Sequence, residues 1–243
     1  DIDAFLNNFK KVVRPELLQD DAQRLEQAGP DPTRRQDVDM LQALELVVGE
    51  MAVARRFARE DFAIGLIARD ATRLADHAAD LSYFGVPVAT APADLCDLAS
   101  LKAAFDTLHT SLGPASVLVY NGARWHQQPA MTLDPMVFNW DVALSATGAL
   151  ASAQHVYPGM KAAGRGTVLF TGGGLALYPE YGAGVASLTA GKSALRGLTY
   201  ALSKEVAGDG IHVATVTIAR NVAPGGAFAS LILPVLFAAL SGR

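Results

Sequence analysis

Along most of this chain, short unbroken apolar runs alternate with stretches in which apolar positions recur every three or four residues. The first pattern predicts strands, the second amphipathic helices. From residue 43 the order is regular. "LELVVG" precedes the helix pattern "MAVARRFARED", "FAIGLIARD" precedes "ATRLADHAADLSYFG", and "VPVATAPADL" precedes "DLASLKAAFDTLHTSLG". "SVLVYNGA" is a fourth strand, followed by a long helix over residues 134–164. "GTVLFTGGG" is a fifth strand, "SLTAGKSALRGLTYALSKE" a helix over 187–205, and "GIHVATVTIA" a sixth strand. Strands so rich in Val, Ile and Leu belong to a sheet covered on both faces. Their alternation with helices implies right-handed crossovers, hence an α/β, doubly wound, Rossmann-like fold with a parallel sheet.

Residues 1–42 break the pattern. They are charge-rich, with helical periodicity in "FLNNFKKVVRPELLQDDAQRLEQAG" and a stop at "GPDPTRR". Pro15 fits the start of a helix better than its interior. An N-terminal helical arm is expected there, packing on the body or a neighbouring subunit, with residues 43–243 forming the Rossmann-like domain. Near the other end, "AFASLILPVLFAAL" is shorter than a membrane span and contains Pro234, which predicts a buried or oligomer-covering tail rather than a membrane contact.

Composition narrows the picture. Hydrophobic residues make up 51% and charged residues 18%, as expected of a compact chain rather than a disordered one. A net charge of −4 gives no reason to expect nucleic acid as a partner. Cys96 is the single cysteine, so no disulfide framework or thiolate metal site is expected. The opening "DIDAFLNNFKK" lacks the apolar core of a secretion signal, and a reducing cytoplasm is the expected compartment.

In doubly wound sheets, ligands sit outside the carboxyl ends of the strands, so the residues there are the candidate site. After the first run stands Gly49 and then Glu50, a shortened turn where a pyrophosphate cradle ordinarily has several glycines. After the second comes Arg69, whose guanidinium suits the 2′-phosphate of NADP; a surface arginine is the alternative, and the adjacent Asp70 weakens the preference. Asp94 and Leu95 follow the third run, where an adenine would rest. Asn121, Gly122 and Ala123 form a small-residue turn after the fourth, open to a ribose or nicotinamide. Trp125 and His126 read as an interface or surface-loop pair, with pocket lining the alternative. The stretch "TGGGLALYPEYGAG" places Tyr178, Glu180 and Tyr181 on a loop facing the cleft, and Pro224, Gly225 and Gly226 make a further tight turn.

These pieces, in this order, resemble the short-chain dehydrogenases/reductases over residues 43 to about 228. The resemblance rests on "VVG", "IARD", "ADL", "LVYNGA", the glycines before "AGKSALRGLTYALSKE", then "GIHVATV" and "APGG". It implies NADP or NAD as cofactor, with Gly49, Arg69, Asp94, Leu95, Asn121, Gly122, Ala123, Lys192, Pro224 and Gly225 at cofactor positions. It implies that Lys192 and Asn121 orient the nicotinamide ribose, and that a homodimer or homotetramer forms through the fourth and fifth helices. It also exposes departures. The family's tyrosine acid falls at Leu188, its serine within Thr171–Gly174, and its helix asparagine at Ala143. A carbonyl that accepts hydride must also receive a proton, and leucine has none to give. Three readings follow. The first is an NADP-preferring oxidoreductase of a small carbonyl or alcohol, with Lys192, Asn121 and a displaced acid, Tyr181. The second is a non-catalytic relative that binds a nucleotide or partner, and the third is a non-redox enzyme such as a lyase or isomerase. The first is favoured because of Lys192.

Overall fold

The computed structural model describes residues 50–218 and the strand Val235–Leu240. Residues 1–42, the run 44–49 with Gly49, and the turn at Pro224 and Gly225 lie outside the described residues. Helix α1 spans Glu50–Ala58 and leads into β1, Phe62–Ala68. Then come α2 (Ala71–Leu81), β2 (Val88–Pro92), α3 (Leu98–Leu112) and β3 (Val117–Tyr120). After β3 follow α4 (Pro135–Val142), α5 (Gly148–Ala163), β4 (Gly166–Gly173), α6 (Ala186–Glu205), β5 (Ile211–Ile218) and β6 (Val235–Leu240).

Local chemistry sets the helix starts. Asp70, Asp97 and Asp134 each precede a helix and accept hydrogen bonds from its first free amides: Arg73, then Ala99 and Ser100, then Met136. Pro135 follows Asp134 at the position where a missing N–H does no harm. Gly164, at φ 62°, ends α5 in the left-handed region where a side chain would be strained.

The strands order as β2-β1-β6-β3-β4-β5. The pairs β1–β2, β3–β4 and β4–β5 are parallel, as expected. The sheet is not wholly parallel, however. Strand β6 runs antiparallel to both neighbours, with Ala238 facing Ile64 on one side and Val117 on the other. The apolar stretch expected to be a covering tail thus supplies a central strand. Its sequence, "VLFAAL", has no charge and no proline, as a strand paired on both edges requires.

Alternation along each strand sends side chains to opposite faces. Ile64, Leu66 and Val119 meet Ala54 and Phe57 of α1 and Leu74 and Leu81 of α2. On the other face, Ile67, Leu118, Tyr120 and Phe170 pack with Leu101, Phe105 and Leu108 of α3, Val156 and Met160 of α5, and Leu195 of α6. The carboxyl ends of β1, β2, β3 and β4 therefore stand in a row, between two helical layers.

Candidate active site

Lys192 lies on α6 and is 7% exposed. Its stem passes Gly173, where an added Cβ would lie 3.4 Å from Lys192 Cγ, so the bare strand end lets the lysine run close. Its Nζ donates to the carbonyl of Thr171 at 2.6 Å. Burial pushes the ammonium down to a pKa of about 8, because desolvation disfavours the charged form. The Thr171 hydroxyl donates in turn to Asn121 Oδ1. Asn121 is buried, and among the described residues its Nδ2 has no hydrogen-bond partner. A buried amide donor left open calls for a ligand or a water. The structure thus brings Lys192 and Asn121 together through Thr171, a connection invisible in the sequence.

The turn after Asn121 is small for a different reason than expected. A Cβ on Gly122 would meet the Tyr120 hydroxyl at 2.5 Å, so the space belongs to that phenol rather than to a ligand. Tyr120 is fully buried, donates to the Leu144 carbonyl and is held far above the usual phenol range by burial. It is a structural post beneath the site. Ala123 is half-buried beside it.

A second corner forms at the ends of β1 and β2. A shallow notch there is lined by Ala68, Arg69, Asp94, Leu95, Trp140 and Leu144. Arg69 is exposed, while Asp70 is occupied as the cap of α2, its Oδ1 accepting from the Arg73 amide at 3.0 Å. The acid that weakened the phosphate reading is therefore engaged elsewhere. Asp94 Oδ1 accepts the Cys96 N–H at 2.9 Å, which shapes the notch floor.

The sequence pointed to Leu188 as the family's acid position and to Tyr181 as a displaced acid. Leu188 is half-buried on the first turn of α6. Tyr181 is 75% exposed, with its ring 6.4 Å from that of Tyr178, and among the described residues neither phenol bonds to Lys192 or Asn121. Ala143 opens a π-helical turn, Ala143–Thr147, that joins α4 to α5. Gly148 there donates to Ala143, five residues back, and the widened turn directs Ser145 at Gly191, the neighbour of Lys192.

One group escaped the sequence reading. Asp141 of α4 is 1% exposed, and its Oδ2 accepts from Ser187 Oγ at 2.7 Å and pairs with His126 Nδ1 at 3.2 Å. Arg124 reaches within 3.6 Å of Oδ1, with its guanidinium 5.4 Å from the Trp140 ring centre. Beside them the Gln128 amide donates to the Gly184 carbonyl at 2.8 Å, and Gln128 bridges Val185. The segment after β3 is so zipped to the segment entering α6. The signal was faint: one acid near the end of α4, three and four residues before Leu144 and Ser145 of the π turn.

The two corners suit a dinucleotide. The open Asn121 amide and buried ammonium offer donors to a ribose, and Arg69, exposed beside a shallow notch, offers a guanidinium at the other corner. A family model described as short chain dehydrogenase matches residues 48–224. Among curated proteins, the chain is 29% identical to 3-dehydrosphinganine reductase TSC10B of Arabidopsis thaliana, over 72% of this chain and 52% of that protein. It is 31% identical to (2S)-[(R)-hydroxy(phenyl)methyl]succinyl-CoA dehydrogenase subunit BbsC of Thauera aromatica, over 70% and 67%. The chain spans about half the length of the first of these. Among solved structures, L-sorbose reductase from Gluconobacter frateurii, complexed with NADPH and L-sorbose, superposes with a TM-score of 0.65 at 28% identity, covering 70% of this chain and 64% of that one.

Proposed function

The chain belongs to the short-chain dehydrogenase/reductase family, and we propose that it is an NADP-dependent oxidoreductase acting on a small carbonyl or alcohol. The observation that carries this reading is Lys192, a buried ammonium tied through Thr171 to the open amide of Asn121. A charge in so dry a place is costly unless it is paired and hydrogen-bonded, and the Thr171 carbonyl supplies only one neutral acceptor. Lys192 and Asn121 hold the nicotinamide ribose, Arg69 meets the adenosine phosphate, and Asp94 and Leu95 border the adenine. When bound, the cofactor supplies the hydride. The chain's part is to orient it, exclude water and provide a proton. Leu188 provides none, and Tyr181 is the phenol that stands nearest in sequence.

A ligand that binds only the folded state must raise the melting temperature. NADPH at about 100 times its dissociation constant adds about 2.7 kcal/mol, a rise of about 5–10 °C for a chain of this size. NADH is expected to give less, and Lys192→Ala to abolish both shifts. No shift with either nucleotide overturns the reading. Binding without turnover of any aldehyde, ketone or alcohol favours the non-catalytic relative, which Leu188 already supports.

A further inference from the structure

We propose that His126, held by the buried carboxylate of Asp141, is the proton donor that replaces the missing phenol. This inference rests on the oxidoreductase reading above. His126 follows β3 and is oriented by an acceptor-only group, so Nδ1 carries the hydrogen shared with Asp141 Oδ2. The other ring nitrogen, Nε2, has no partner among the described residues, and the side chain is 22% exposed. The same Asp141 oxygen accepts from Ser187, the residue immediately before Leu188. The dyad is thereby fastened to the turn of α6 at which the family's acid would stand. The arrangement has the parts of an acid–base unit: an imidazole with one nitrogen fixed and the other free, and a buried carboxylate that sets the tautomer.

In the direction of reduction, the substrate carbon gains hydrogen and an electron pair from the reduced nicotinamide cofactor, and the carbonyl π pair moves to oxygen. Protonated His126 gives its Nε2 proton to that oxygen. The N–H bond breaks, an O–H bond forms, and the imidazole is left neutral until solvent reprotonates it. Oxidation runs the same path in reverse, with neutral Nε2 taking the alcohol proton. Among the described residues, the charged group that pairs with His126 is Asp141 of α4, and Arg124 of the same loop and the uncharged Ser187 of α6 meet that carboxylate rather than the imidazole. His126 is then the catalytic residue and Asp141 the positioning residue.

The test uses the whole chain loaded with NADPH and a panel of aldehydes and ketones. His126→Gln is expected to keep NADPH binding within about twofold and to lose about 100-fold or more in kcat. Asp141→Asn is expected to lose activity and to change the imidazole tautomer seen by nitrogen NMR, a change that a merely structural carboxylate would not produce. A readout independent of turnover is carbethoxylation of His126 by diethylpyrocarbonate, followed by mass spectrometry and slowed when NADPH is bound. A wild-type chain that binds NADPH, with His126→Gln reducing as fast as wild type, overturns the assignment of His126 alone. So does modification of His126 unaffected by NADPH. A wild-type chain that binds no nucleotide overturns the oxidoreductase reading and His126 with it.

Discussion

Lys192 carries its charge where a charge is poorly held. Its pKa of about 8, lowered by burial, lies below the ordinary lysine value of 10.5. Between these values the unfolded chain binds more protons than the folded one, so stability from this group rises as pH climbs from 8 to 10.5. It is lost as pH falls back through 8, where both states are charged. The penalty at neutral pH is on the order of 3 kcal/mol. Lys192→Met is therefore expected to melt higher than wild type at pH 7, with the advantage shrinking towards pH 10, in thermal melts without ligand. The same substitution is expected to remove the NADPH shift, the pattern of a site that holds function at the expense of stability. Arg69, at the other corner, is exposed, and under the proposed function it acts on affinity instead. Arg69→Ala is expected to weaken NADPH by about 10- to 100-fold, as a charged hydrogen bond warrants, while NADH binding measured by titration calorimetry stays level. Cys96 serves as a contrast: burial pushes its thiol up to about 11, leaving too little thiolate for chemistry at neutral pH.

Among the elements, α6 and the π turn pack closely, most tightly at Gly191. A Cβ on Gly191 would lie 2.6 Å from Ser145 Oγ and 2.8 Å from Ser145 Cβ. Gly191→Ala is expected to destabilise by about 1–3 kcal/mol through overpacking, read by urea denaturation, and Ser145→Gly in the same chain to restore most of it. Much of this architecture was legible beforehand. Strand runs such as "FAIGLIA" and "VLVY", and the acids capping α2, α3 and α4, act through local chemistry that a sequence displays. The placement of Arg69, Asp94 and Asn121 after strand ends, and of Lys192 on the helix that follows β4, was legible as well. What was not legible depends on contacts between distant segments. Asp141 and His126 are 15 residues apart and Asp141 and Ser187 46 apart, and no periodicity joins them. Tyr181 looked like an acid because it precedes Lys192 closely, but nearness in sequence did not bring its phenol to the lysine.

For the molecule as a whole, β6 is the piece that joins the sheet. Among the described strands, β1 and β2 pair with each other and β3, β4 and β5 with one another, and β6 alone connects the two sets. Ala238→Pro would remove an amide from a strand paired on both sides, with an expected loss of about 3 kcal/mol or more and a drop in cooperativity seen as separated chemical-denaturation transitions. The timing of synthesis follows from the same feature. A ribosome releases residues 62–92 and 117–218 before 235–240, so among the described strands two leaves wait with unpaired facing edges until that seam is sewn. Such edges invite pairing with other chains, and any protein stalled short of residue 235 is left in that state.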